Sequence, residues 1–245
     1  EGEGTLTGMQ TLPVLETVAW FLAQPGPEAV AAAQAEGKEK VRAALPLFHA
    51  LSLTGTMSEV TIGTPVGEIT AASGAADLAM NGLVAEGRFY ERIGLTGVGL
   101  PPGLVPGWAA PLLPQDLTLS FDFTGFDLAA AAAIFLDKVD WAQGPDPMLE
   151  QELTASLLPK GSMDIAFGIG SEAAGTWKLE SDGALSVGPM AMPVGRSTVR
   201  LTGIDAILAA LGSAPPEISQ GAVPAIGMAR GLGRAEGEAT VWDIE

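Results

Sequence analysis

Residues 121–136, FDFTGFDLAAAAAIFL, begin as a strand and end as a helix, and nearly the same joint returns at residues 199–211, VRLTGIDAILAAL. In the first copy Phe121 and Phe123 fall on one side of an extended chain and Asp122 on the other, because side chains alternate along a strand. Beyond Gly125 the spacing changes, and Leu128, Ala131, Phe135, Leu136 and Val139 recur at helical intervals. The second copy carries Val199 and Leu201 before Gly203, then Ile204, Ile207, Leu208 and Leu211. Glycine permits the reversal, Phe126 or Ile204 anchors the corner, and Asp127 or Asp205 is placed to cap the first helical turn. Gly125 and Gly203 are therefore expected at positive φ. Leu-Thr-Gly also occurs at 6–8, 53–55 and 95–97, which predicts the same turn at five strand ends.

Outward from the joint, alternation is the dominant signal. Leu117, Leu119, Phe121 and Phe123 share one side, as do Met163, Ile165, Phe167 and Ile169, Trp177 and Leu179, and Val199 and Leu201. Strands with one apolar and one polar side belong to an antiparallel sheet with one wet face. A hairpin is predicted over 58–73 around Gly63-Thr64-Pro65, a further strand near residue 88, and a strand at the C-terminal end. A longer helix is predicted over 27–48, with Pro27 near its start and Gly37 weakening its middle. The fold class that follows is α+β: a β-rich, curved antiparallel sheet with short helices folded back onto its apolar face. Residues 1–245 read as a single β-rich domain, a division into 1–115 and 116–245 being the alternative.

Composition excludes several function classes. Acids outnumber bases 29 to 12, for a formal charge of −17, and the basic residues form no stripe, so the electrostatic term that drives nucleic-acid binding is missing. Cysteine is absent, which rules out thiolate metal sites and a cysteine nucleophile. No run of about 18 apolar residues is present, so no transmembrane segment is expected. The start EGEGTLTG and the end GEATVWDIE suggest a trimmed N-terminus and a chain that continues beyond residue 245.

Signatures of catalysis are thin. The one histidine, His49, sits in LPLFHALSL and reads as a buried or partly buried structural residue. Gly168, Gly170 and Ala173 mimic a dinucleotide fingerprint, but an alternating strand follows where the helix should be, so a hairpin is predicted. The acidic stretch 144–152 lacks calcium-loop spacing and reads as solvated surface. The five tryptophans lie far apart in sequence. No catalytic residue, cofactor or metal is assigned.

The candidate site is apolar. Residues 95–115 carry no charge and five prolines, and present Leu104, Val105, Trp108, Leu112 and Leu113 either as an ordered loop over the core or as the lip of a groove. Met190 and Met192, in GALSVGPMAMPVG, are added as side chains able to adapt to varied apolar ligands. The structural joints are Gly125, Asp127, Gly203 and Asp205.

The succession TPVGEITAASGAADLAMNGL (64–83), PGWAAPLLPQDLTLSFDFTGFDLAAAAAIF (106–135) and RSTVRLTGIDAILAALG (196–212) resembles an uncharacterised family of alphaproteobacterial envelope proteins, over about two thirds of the chain from residue 53 onward. The strand-then-helix joint is also similar in style to AsmA-like envelope proteins, whose repeated strands build a curved sheet with an apolar groove; the short length and missing anchor depart from them. The resemblance implies a periplasmic, non-enzymatic protein with a lipid or acyl-chain ligand. Alternatives are a structural module that meets an envelope protein partner, and a carboxylate-dependent hydrolase.

Overall fold

In a computed structural model of the chain, residues 1–171, 176–187 and 193–245 are described. The strands are β1 (Gly2–Thr7), β2 (Ala50–Thr64), β3 (Gly67–Asn81), β4 (Gly87–Thr96), β5 (Asp116–Phe126), β6 (Ser162–Gly170), β7 (Lys178–Val187), β8 (Pro193–Thr202), β9 (Arg234–Glu236) and β10 (Ala239–Ile244). The helices are α1 (Thr11–Ala23), α2 (Pro27–Ala32), α3 (Gln34–Ala44), α4 (Leu128–Lys138), α5 (Pro147–Leu157), α6 (Ile204–Gly212) and α7 (Pro216–Leu232), with a 3-10 turn at Ala110–Leu112.

All ten strands join one curved, unclosed antiparallel sheet, as the α+β, β-rich reading expects. Spatial order follows chain order from β1 to β8, after which β10 inserts between β8 and the edge strand β9. Ten paired residues join β4 to β5, so the sheet runs unbroken past residue 115. The hairpin expected over 58–73 is the tip of β2 and β3, and β6 pairs antiparallel with β7; Ala173 of the glycine pattern lies outside the described residues.

Because each strand reverses the last, the connections divide between two ends. One end carries α1 to α3 between β1 and β2, and α4 with α5 between β5 and β6. The other carries the uncharged segment between β4 and β5, and α6 with α7 after β8. The helices meet the sheet there: the Trp242 indole donates to the Ala229 carbonyl of α7 at 2.7 Å. Most buried apolar residues lie in or beside helices, among them Trp20, Leu136, Val139, Leu158, Ile204 and Leu211. The densest packing is thus in the two caps.

The repeated joint is executed in two ways. Gly125 and Gly203 both have positive φ, 85° and 81°. In the first copy β5 continues through Phe126, which pairs with Gly87, so Asp127 reaches the N-cap and accepts the Ala130 N–H at 2.8 Å. In the second, β8 stops at Thr202 and Gly203 itself is the N-cap. Asp205 consequently lies inside the first turn and does not cap, contrary to the sequence expectation; its carboxylate pairs with Arg230 of α7. Gly8 and Gly97 end β1 and β4 with φ of 67° and 62°. Gly55 instead sits within β2, paired with Gly2 and Ala76, so Leu-Thr-Gly at 53–55 is not a turn.

Other expectations need correction as well. The helix predicted over 27–48 is broken at Ala33 into α2 and α3. Gly37 is buried because Trp20 and Trp141 close over it: a Cβ there would stand 2.6 Å from each ring. His49 is exposed, its ring lying over Gly8 and its backbone joining Thr7 and Gly82. The acidic stretch at 144–152, by contrast, is exposed except at Leu149, as its reading as solvated surface expects; it opens α5, with Asp146 capping Leu149. Helices α1 and α7 were not foreseen, since α1 is apolar on nearly all sides and shows no single stripe.

Ala at either joint forces a left-handed residue, at about 1 to 2 kcal/mol. At Gly203 the new Cβ would also run into the Thr176 carbonyl, whereas at Gly125 the nearest atom is 3.6 Å away. In urea melts Gly203→Ala is therefore expected to destabilise more than Gly125→Ala, and Gly55→Ala to be neutral or stabilising. Asp127→Ala should cost about 1 kcal/mol for the lost cap and Asp205→Ala clearly less. Equal losses at the two glycines, or at the two aspartates, would contradict this account of the joint.

Candidate functional site

Strand register sorts the side chains of the sheet. One face takes Leu51, Leu53 and Met57 from β2, Leu78 and Met80 from β3, and Phe89, Ile93 and Leu95 from β4. It continues with Leu117, Leu119, Phe121 and Phe123 of β5 and Ile165, Phe167 and Ile169 of β6. Toward β7 and β8 it becomes smaller and more polar, with Gly183 and a Ser181–Ser197 hydrogen bond of 2.6 Å beside Leu179, Val199 and Leu201. Phenylalanines form its centre: Phe121 lies 5.2 Å from Phe167 and 6.4 Å from Phe123, centroid to centroid. Glu91 is an acid on this face, placed between Leu78 and Phe121.

The helical caps leave the middle of the face open. Phe89, Phe121, Phe123, Ile165 and Phe167 are only half-buried, and Leu53 and Ile93 remain 44% and 38% exposed. The chain as a whole exposes 14601 Å², against about 10,000 Å² for a compact monomer of its mass. That difference is the signature of a sheet without a second layer.

The opposite face is charged and internally paired. Arg88 binds Asp122 through two nitrogens at 3.1 and 2.8 Å, Arg92 lies 3.7 Å from Asp77, and Arg200 pairs with Asp182. At the sheet edge, Asp243 accepts from Arg234 and from Thr198. The hydrogen bond from Arg234, then that from Thr198, hold its carboxyl below the usual carboxylate range. The sheet therefore has one side fitted to water and one that is not.

The residues singled out in the uncharged loop lie at the end of the sheet shared with α6. Leu104 and Leu113 are exposed, while Val105, Trp108 and Leu112 are half-buried. The Leu112 carbonyl accepts the Trp177 indole N–H at 2.8 Å, which fixes the loop to the start of β7. Met190 and Met192 lie outside the described residues. At the opposite end, α1 to α4 frame an open apolar pocket of about 480 Å³, lined by Phe21, Val41, Leu45, Leu83, Phe135 and Trp141 among others. Sequence reasoning missed it, because its wall is assembled from helices more than a hundred residues apart. The run of apolar residues in α4 was the only local sign of it.

Among the described residues no group of three or more side chains is arranged to hold a metal ion, and no helix is long and apolar enough to cross a membrane. No protein-family model, curated protein or solved structure matches the chain.

Asp243 stabilises the edge while ionised. Because its folded pKa is depressed, that contribution is complete above the unfolded value of about 3.9 and is lost as the pH falls through the folded value. By NMR the carboxyl should titrate with a midpoint under about 3.9, and Asp243→Asn should flatten the acid limb of the stability curve. A midpoint above that of a free aspartate would contradict the pairing.

Proposed function

We propose that the apolar face of the sheet is a binding surface for an acyl chain or a similarly apolar ligand, and that the protein is a non-enzymatic component of the cell envelope. One observation carries this reading: a continuous apolar surface crosses β2 to β6 with its side chains half-exposed between two packed helical ends. Covering it contributes about 2.5 kcal/mol for every 100 Å² of apolar surface removed from water, with no need for charged groups. Phenylalanines at the centre supply broad, rigid contact area. A periplasmic location is what the resemblance to alphaproteobacterial envelope proteins and to AsmA-like sheets implies.

A second reading, a module that meets a protein partner, is favoured by α1. Leu12, Leu15, Val18 and Leu22 recur along one side of that helix and are 49% to 81% exposed. Large contiguous apolar patches on a helix commonly mark interaction surfaces.

Lipid extraction of the purified protein followed by mass spectrometry should recover acyl lipids. Leu53→Asp with Ile93→Asp, on side chains already partly exposed, should reduce retention about tenfold or more, while Glu91→Leu should increase it. Recovery of no lipid from wild type, or retention indifferent to all three substitutions, would end the proposal. Under the partner reading, Trp108→Ser with Leu112→Ser, or Leu15→Lys with Leu22→Lys, should abolish capture of a protein while leaving lipid retention intact.

A further inference from the structure

The apolar face of the sheet is interrupted by one charge. Followed through the strand register from residues 51–57 of β2 to residues 240–244 of β10, the face presents aliphatic and aromatic side chains with alanine, glycine, serine and threonine between them. Among the described residues Glu91 is its single ionisable side chain. Glu91 lies in the middle of β4, opposite Leu78 on one side and Phe121 on the other, with Phe89 and Ile93 beside it along the strand. It is half-buried, and among the described residues it makes no hydrogen bond or ion pair. The arginines of the same strand serve the opposite face, where Arg88 meets Asp122 and Arg92 meets Asp77.

Any chain that covers Leu78, Phe89, Ile93 and Phe121 also withdraws Glu91 from water, because these four residues surround it. A carboxylate dehydrated without a cation or donors beside it is costly. We propose, resting on the reading of this face as a binding surface, that its ligand is an amphiphile bearing a protonated amine, whose ammonium meets Glu91 and whose hydrocarbon tail lies across the phenylalanines of β5 and β6. A primary ammonium is compact and carries three donors, enough to meet both carboxylate oxygens. The tail has Phe121 and Phe167, 5.2 Å apart, as its floor, and beyond them Gly183, which adds no side chain beside Ile165. A second copy of the chain is a poor occupant of the same face: among the described residues no lysine, arginine or histidine lies on it, so two copies would bury two unpaired acids. Glu91 then determines specificity, disfavouring fatty acids by repulsion and uncharged chains by its own desolvation.

The test titrates decylammonium, 1-decanol and decanoate into the protein by calorimetry, in about 0.5 M salt so that the overall charge of −17 does not itself attract the amine. Wild type should bind decylammonium about tenfold more tightly than 1-decanol, and decanoate most weakly. Glu91→Gln keeps the shape and removes the charge; it should bring amine and alcohol to within about threefold of one another. Glu91→Leu, which raises retention of uncharged chains, should drop the amine below the alcohol. Glu150→Gln removes one charge from the exposed start of α5 and should leave the wild-type preference intact. A wild type without preference for the amine, a preference that survives Glu91→Gln, or one lost equally in Glu150→Gln would overturn the proposal. If 1-decanol binds and is lost on Leu53→Asp with Ile93→Asp while the amine is no tighter, only the role of Glu91 falls; if none of the three probes binds wild type, the reading of the face falls with it.

Discussion

The structure depends on a mismatch between the apolar area of one sheet face and the helices available to cover it. A sheet this wide normally buries such a face under a second layer, because partly exposed Leu, Ile and Phe forgo part of the free energy that burial would supply. Here the helices are confined to the connections at the two ends of the strands, and the strands are longer than the helices can reach across. The caps pack well, with Leu136, Val139, Ile204 and Leu211 buried, while Phe121, Phe123 and Phe167 at the centre stay half-exposed. Backbone pairing on both sides of every strand but the edges holds the centre together, so the face can remain open without loss of order.

The polar face makes that openness sustainable. Its charges are matched across strands, Arg88 with Asp122 and Arg200 with Asp182, so one side of the sheet is suited to water while the other is apolar. Individually such exposed pairs contribute little, but they fix which way the sheet faces, since a slip of one residue would carry every phenylalanine to the charged side. The excess of acidic over basic side chains gives the chain a formal charge of −17, and such net charge opposes association through apolar surface.

The pocket among the helices and the face of the sheet are two different apolar surfaces. The face is broad and open and crosses β2 to β6. The pocket is smaller and framed by α1 to α4, with Phe21, Phe135 and Trp141 among its lining residues. Both lie outside the uncharged loop that the sequence recommends, and that loop instead fastens one cap to the sheet through Trp177 and Leu112.

Local chemistry alone determined much of the molecule. Strict alternation in residues 117–123 and 163–169 specifies strands with one apolar side; glycine after Thr124 and Thr202 specifies the reversal; Asp127 specifies a cap. These are short-range effects, set by sterics and by hydrogen bonds between residues a few positions apart. Only the tertiary structure decided the rest. Asp205 pairs with Arg230 because β8 ends two residues sooner at the joint than β5 does, which depends on what each strand pairs with. Gly55 is flat because two neighbours hold it in a ladder, although its tripeptide matches those that turn. Trp20 and Trp141, more than a hundred residues apart, meet over Gly37 because separate connections return to the same end of the sheet. Whether an apolar face is covered is likewise a question of area and reach across the whole fold, and no window of sequence contains that information.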